Sequence, residues 1–318
     1  MKVLVTGVCG FIGFNFANFL LKKNYKIYGI DNINNYYSVK LKNDRLIILK
    51  KNKNFTFFKA DIRNHKKLKN IFNKIKFDIV IHLAAQAGVR YSIKEPRKYI
   101  ENNIDGFFNV IDLCRNNNIK KIIYASSSSV YGDNKNFPLK ENQALEPKNL
   151  YASTKANNEE TAEIFSKFYR LNIIGLRFFT VYGEWGRPDM LMMKYLKSNL
   201  NKTKKFYLYN YGNHFRDFTY IQDVNNIIFK LTQKKFRNHQ IFNICSNKPI
   251  KITNIIKLIN KFTGVECKIF KTSLQKADIL KTHGDNVKIR KYVKYNKFYN
   301  IKNGIFNLVN WYKSYNKI

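Results

Sequence analysis

Short apolar runs alternate with amphipathic stretches through the first half of the chain. Val3-Leu4-Val5, Lys26-Ile27-Tyr28-Gly29-Ile30 and Phe55-Thr56-Phe57-Phe58 have the length and apolar density of strands covered on both faces. Asp78 to Leu83, Lys121-Ile122-Ile123-Tyr124 and Leu171 to Phe179 continue the series. Between strands, Phe16, Phe19 and Leu20 recur at helical spacing, and Ile100, Ile104, Phe107, Phe108 and Ile111 predict one long helix from about Pro96 to Arg115. Such alternation implies a parallel sheet with helices on both faces and ligands at the strand C-termini. Beyond Tyr182 the pattern loosens into a helix near Met190 to Asn199, a strand Phe206 to Tyr209, a loop Gly212 to Arg216 and a helix from about Asp223. The chain reads as α/β: a doubly wound parallel sheet over residues 1–182, with a return segment near 217–248, and a smaller C-terminal α/β lobe over 183–318.

At 318 residues and 45% hydrophobic, the chain can bury a full core. No apolar run reaches the roughly 18 residues of a membrane span, and Gly7, Gly10 and Gly13 interrupt any resemblance to an export signal. Cys9, Cys114, Cys245 and Cys267 are scattered without a Cys-x-x-Cys pair, so they read as reduced thiols of a cytoplasmic protein. A formal net charge of +37 points towards an anionic partner, nucleic acid included. The lysines are dispersed and interleaved with asparagine, as in Lys50-Lys51-Asn52-Lys53-Asn54, which fits compositional drift better than a binding arm. No cluster has metal-ligand spacing.

The chemistry begins at the first strand end. Thr6-Gly7-Val8-Cys9-Gly10-Phe11-Ile12-Gly13 supplies a tight turn, close approach of backbone to a pyrophosphate and a helix N-terminus facing the phosphates. A second strand ends at Asp31, where a carboxylate suits the ribose hydroxyls and repels a 2′-phosphate, favouring NAD over NADP. The third ends at Lys59-Ala60-Asp61-Ile62, beside an expected adenine, and the fourth at Ala84-Ala85-Gln86, small residues that admit a cofactor. His82, inside an apolar strand, reads as a core histidine.

The fifth strand delivers Ser126-Ser127-Ser128-Ser129-Val130-Tyr131-Gly132, and a helix then carries Tyr151 and Lys155 one turn apart on one face. A phenol, with a reference pKa of about 10, serves as a base at neutral pH only when a cation and a hydroxyl stabilise its phenolate. Lys155 and a serine meet that need. The Tyr-x-x-x-Lys spacing also occurs at Tyr36/Lys40 and Tyr131/Lys135; the serine-bearing strand end before it selects Tyr151.

Thr-Gly-x-x-Gly-Phe-Ile-Gly at 6–13, Leu-Ala-Ala at 83–85, Ser-Ser-Ser-Val-Tyr-Gly at 127–132 and Tyr-x-x-x-Lys at 151–155 resemble the extended short-chain dehydrogenase/reductase family of nucleotide-sugar enzymes. His82 to Ser92, Leu176 to Gly183, Trp185 to Met190 and Arg216 to Ile221 resemble its UDP-glucuronate 4-epimerase branch. The resemblance covers nearly the whole chain and implies a Rossmann-type domain, a UDP-sugar lobe, NAD as cofactor and a homodimer formed through helices near 96–115 and 151–169. It implies Tyr151, Lys155 and Ser127 as the catalytic set. Gly7, Gly10, Phe11, Ile12, Gly13, Asp31, Asn32, Asp61 and Ile62 would hold NAD, together with Leu83, Ala84, Ala85, Gln86 and Asn102, with Tyr151, Lys155 and Phe179 also touching it. Arg187 and Arg216 would meet the diphosphate or sugar, and Tyr209 the uridine. Ser127, Ser128, Ser129 and Thr180 would bind a sugar carboxylate, with Arg90, Gln275 and Asp278 completing the substrate contacts.

The sequence departs from the branch at Cys9, usually a small residue, and at Gln275-Lys276-Ala277-Asp278, where Gln-Pro-Gly-Asp is common. Dehydratases and decarboxylases of the family carry an acid after the catalytic hydroxyl, where this chain has Ser128-Ser129, so C4 epimerisation of UDP-glucuronate is the expected reaction. A 4-epimerase of a neutral UDP-hexose or UDP-N-acetylhexosamine is the alternative, and a non-catalytic or RNA-associated member a more distant one.

Overall fold

The computed structural model describes residues 1–200, 205–274 and 279–318. Two compact units emerge. The first comprises Met1–Asp133, Glu141–Phe178 and Ile228–Phe242; the second comprises Asn134–Lys140, Phe179–Ile227 and Asn243–Ile318. In chain order the strands are β1 (Lys2–Thr6), β2 (Lys26–Asp31), β3 (Phe55–Lys59), β4 (Ile79–His82), β5 (Lys121–Ser127) and β6 (Asn172–Phe178). Then come β7 (Thr180–Tyr182), β8 (Lys205–Tyr209), β9 (Phe215–Tyr220), β10 (His239–Ile244), β11 (Pro249–Lys251) and β12 (Lys268–Thr272).

Seven strands form the sheet of the first unit in the order β10-β6-β5-β4-β1-β2-β3. The neighbours from β6 to β3 pair in parallel. Progression reverses at β1, so the C-terminal ends of β1 and β4 flank the point where such sheets open a crevice for ligands. One face is covered by helices His65–Lys74, Gly106–Asn116 and Leu150–Tyr169, whose Leu68, Phe72, Phe107, Ile111 and Phe165 pack on Leu4, Val80, Ile122 and Ile173. Each such side chain contributes on the order of 1.5–3 kcal/mol when fully buried. The helix Phe11–Leu21 buries Phe14, Phe16 and Leu20.

In the second unit, β9 pairs in parallel with β7 and antiparallel with β11, and β8 pairs in parallel with β12. Its helix Ile252–Thr263 turns Ile252, Ile255, Ile256 and Ile259 inward, the i, i+3, i+4, i+7 stripe of an amphipathic helix.

The structure corrects the reading of residues 96–115. That segment is not one regular helix: Pro96–Tyr99 is α-helical, Ile100–Asp105 forms a π turn, and Gly106–Asn116 resumes the α-helix. The π turn rotates the buried face, so that Asn103 is 1% exposed while Ile100 is 39% exposed. Other boundaries shift. Strand β5 runs on through Ser127, the later helix starts at Ile221, and the sixth expected strand breaks at Phe179, whose N–H donates to the Ile244 carbonyl at 3.1 Å. The first compact unit runs to Phe178 and takes in Ile228–Phe242.

Candidate active site

The nucleotide loop is shaped by backbone that only glycine accommodates. Gly7 has φ +69°, and a Cβ there would lie 2.7 Å from the Ala84 nitrogen; a Cβ on Gly13 would collide with the Gly7 carbonyl oxygen. The Gly7 N–H donates to the Ile30 carbonyl at 2.8 Å, and Gly10 N–H to the Gly7 carbonyl at 2.9 Å, so β1, β2 and the helix start are pinned together. Phe11 and Ile12 open that helix.

Asp31, at the end of β2, accepts Cys9 N–H at 2.9 Å through Oδ2 and Ile33 N–H at 2.7 Å through Oδ1. Burial raises its carboxyl above the usual range, against those amides and the nearby Lys42 and Arg45 charges. Asn32 Nδ2 donates to Asp61 Oδ2 at 2.8 Å. Burial works to raise the Asp61 carboxyl too, but hydrogen bonds from Arg63 and Asn32 prevail and hold it low. Ile62 follows Asp61 and is buried. Arg45, absent from the sequence-derived site, is fully buried and donates from Nη1 to the Cys9 carbonyl at 2.7 Å and to Tyr37 Oη at 2.8 Å.

At the β4 end, Leu83 N–H donates to the Thr6 carbonyl and Ala84 N–H to Thr6 Oγ1, both at 3.2 Å, which sets Ala84 against the glycine turn, with Ala85 following. His82 Nδ1 lies 2.8 Å from Thr6 Oγ1, and burial lowers its pKa to about 3, leaving a neutral core ring. Asn102 donates to the Lys98 carbonyl at 2.7 Å, whereas its neighbour Asn103 turns inward. Asn103 accepts Gln86 N–H at 2.7 Å, donates to the Gln86 carbonyl at 3.0 Å and to Thr154 Oγ1 at 3.1 Å. Thr154 in turn donates to the Tyr151 carbonyl at 2.8 Å. The π turn thus ties the β4 end to the helix of Tyr151. A repeated Asn pair within an apolar helix pattern was the sequence signal, and it does not say which Asn turns in.

That helix, Leu150–Tyr169, starts at Asn149, whose side chain accepts Ala152 N–H at 3.0 Å. Tyr151 is half-buried beside Tyr99, with ring centroids 6.1 Å apart. Lys155 is 2% exposed, and its Nζ donates to the Ala125 carbonyl on β5 at 2.9 Å. Burial lowers its pKa to about 8, opposed by the Glu159 carboxylate, so it remains mostly charged at pH 7. Ser127 closes β5; its Oγ donates to Ser129 Oγ at 3.1 Å and accepts Ser129 N–H at 3.2 Å, opening the turn Ser128–Tyr131. Lys155, Ser127 and the Tyr151 turn therefore gather at the C-terminal edge of β5, next to the β4 end. Arg90 is exposed, just before the helix Tyr91–Lys94.

The remaining expected contacts belong to the second unit. Phe179 is buried against Gly284, and Thr180 opens β7. Arg187 forms a two-pronged ion pair with Asp189 at 3.1 and 3.0 Å. Tyr209 ends β8, half-buried, and Arg216 on β9 donates to the Phe215 and Leu280 carbonyls at 2.9 and 3.1 Å. Gln275 and Asp278 lie outside the described residues. Among the described residues no group of His, Cys, Asp and Glu could hold a metal ion, and no helix is long and apolar enough to cross a membrane.

The glycine cradle, the ribose-suited carboxylate and the small β4 end fit a dinucleotide. Residues 3–245 match the NAD dependent epimerase/dehydratase family. The UDP-glucuronate 4-epimerase of Thermodesulfobacterium geofontis is 38% identical over 312 residues, 98% of this chain and 95% of that protein. The crystal structure of UDP-glucuronic acid 4-epimerase from Bacillus cereus, in complex with UDP-glucuronic acid and NAD, superposes with a TM-score of 0.93 at 30% identity, covering 99% of this chain and 100% of that one. UDP-glucose 4-epimerase of Thermotoga maritima, solved with UDP-glucose, gives 0.91 at 26% identity, covering 99% of each chain. With the family matched across 3–245 of 318 residues and the fold shared end to end, the chain belongs to the NAD dependent epimerase/dehydratase family.

Proposed function

We propose that this enzyme inverts C4 of UDP-glucuronate to give UDP-galacturonate through a 4-keto sugar. The observation that carries the reading is the pairing of buried Lys155 with the serine-bearing end of β5, followed by Ser128-Ser129 where an acid would serve elimination or decarboxylation. Gly7, Gly10, Gly13, Asp31 and Ala84 would hold NAD, which when bound accepts a hydride from the sugar and returns it. Tyr151, its phenolate supported by the Lys155 ammonium and Ser127 hydroxyl, takes the proton of the 4-hydroxyl and later gives it back. Arg187 and Arg216 meet the diphosphate or the sugar and Tyr209 the uridine, while the sugar turns about its diphosphate link to present its other face. Ser127, Ser128, Ser129 and Thr180 offer hydroxyl donors to the sugar carboxylate without burying an unpaired cation.

Purified protein incubated with UDP-glucuronate is expected to form UDP-galacturonate, resolved from UDP-xylose and UDP-galactose standards. Carbon dioxide or a pentose product would replace this reading with decarboxylation. A second reading, 4-epimerisation of a neutral UDP-hexose, is favoured by the Thermotoga maritima likeness and by hydroxyls that bind hydroxyls equally well. It predicts UDP-glucose turnover and an inert UDP-glucuronate.

The charge of +37 is dispersed along the chain rather than gathered into an arm, which speaks against an RNA role. Ile93, Phe108, Ile164 and Phe168 expose 49–70% of their surface on the helices Tyr91–Lys94, Gly106–Asn116 and Leu150–Tyr169, and a second copy of the chain would cover them in a homodimer. Light scattering at the monomer mass would contradict that assembly.

A further inference from the structure

We propose that the buried Arg177–Glu159 pair is a positioning device that holds the serine turn, the helix of Tyr151 and Lys155, and β6 in one arrangement. It rests on the reading of Tyr151 and Lys155 as the reacting pair. The parallel register sets Ser126 of β5 directly beside Arg177 of β6. Glu159 lies one helical turn beyond Lys155 and so points at the same strands. Arg177 donates from Nε to Glu159 Oε1 at 2.9 Å and from Nη2 to Oε2 at 2.7 Å, while Ser126 Oγ donates to Oε1 at 2.5 Å. From its other nitrogen, Nη1, Arg177 donates to Tyr131 Oη at 2.8 Å and to the Glu141 carbonyl at 3.2 Å. The turn Ser128–Tyr131 is thereby fastened at both ends to one ion pair, through Ser126 before it and Tyr131 at its close.

Both members are nearly inaccessible, with side chains 5% and 6% exposed. Two charges so far from water cost desolvation that an apolar pair would avoid, so stability alone gives little reason for them; fixing one arrangement does. The groups set against Lys155 are the Glu159 carboxylate on its own helix, the Ala125 carbonyl of β5 and the neutral ring of His82 on β4. Of these, Glu159 supports the Lys155 charge. The pair therefore sets both where the ammonium sits and how readily it is lost.

The test uses three variants with the UDP-sugar that the unaltered protein epimerises, reading kcat, KM, retained NAD and the pH profile. Glu159→Met with Arg177→Met removes both charges and is expected to fold and keep NAD. Its kcat should fall about ten- to a hundred-fold, with little change in KM. The alkaline limb of its kcat profile should move to lower pH, because Lys155 has lost the anion supporting its charge. Ser126→Ala with Tyr131→Phe cuts only the two ties to the turn and should lower kcat several-fold without moving the limb. A folded Met/Met variant with the original kcat and limb overturns the proposal; if that variant does not fold, an unchanged kcat in the Ala/Phe variant overturns it. Tyr151→Phe is the control: were it active, or the unaltered protein inert towards every UDP-sugar, the reading beneath would fail instead.

Discussion

Two buried cations stand near the same edge of the first sheet, and burial has opposite consequences for them. Lys155 reaches a backbone carbonyl, and desolvation draws its pKa down to about 8. Burial would depress Arg177 too, but the two-pronged bond to Glu159 prevails and pushes it up beyond any working pH. A low dielectric penalises a lone charge and strengthens a paired one. One neighbourhood leaves a charge that the loss of a proton can still remove; the other makes a charge permanent. The first suits a reacting group, the second a strut.

The largest expected effect is on the titratable side. Tyr151→Phe should lower turnover about 10³-fold while the protein keeps its NAD, measured by the absorbance of bound dinucleotide; a loss under ten-fold would remove Tyr151 from the chemistry. On the permanent side, Arg177→Met alone leaves Glu159 buried without its cation. A loss of about 3–5 kcal/mol in urea unfolding is expected, and an unchanged midpoint would show that the carboxylate finds another partner.

A smaller effect separates the two by pH. Lys155 is cationic below about 8 and neutral above, so kcat should decline as pH rises through that value, whereas Arg177 stays charged throughout. A kcat that stays level up to pH 9.5 would assign the phenolate some other support. Smallest is Ser129→Ala, expected to raise KM for UDP-glucuronate by the roughly 1 kcal/mol of one hydrogen bond, about five-fold. An equal rise for UDP-glucose would mean that the hydroxyl does not read the carboxylate.

Much of the first unit was legible because its signals are local. Gly7 and Gly13 announce themselves since a Cβ there meets backbone, and Asp31 closes an apolar strand at a fixed distance from them. Tyr151 and Lys155 follow from helical periodicity once a serine-bearing strand precedes them. What escaped depends on pairings that no window of sequence contains. Ile100, Ile104 and Phe107 fit a regular helix as well as an interrupted one, and what Asn103 gains by turning inward, the Gln86 backbone and the Thr154 hydroxyl, lies seventeen residues before it and fifty-one after. Arg177 was visible as a lone charge in an apolar run, but its partner stands eighteen residues back on another element. In the second unit the strands are short and their pairings non-local, so β7, β9 and β11 left little trace in the hydrophobic pattern.

Asp31 carries a consequence for anyone wishing to change the dinucleotide preference. Its two oxygens already terminate the amides of Cys9 and Ile33, so the carboxylate is also a rivet in the phosphate loop. Swapping it for a small neutral residue would admit an extra phosphate on the ribose yet strand two peptide hydrogens in a dry corner. Exchange to asparagine would restore one acceptor and lose the other, so a redesign aimed at phosphorylated cofactor must rebuild the turn at residues 31–33 along with the charge.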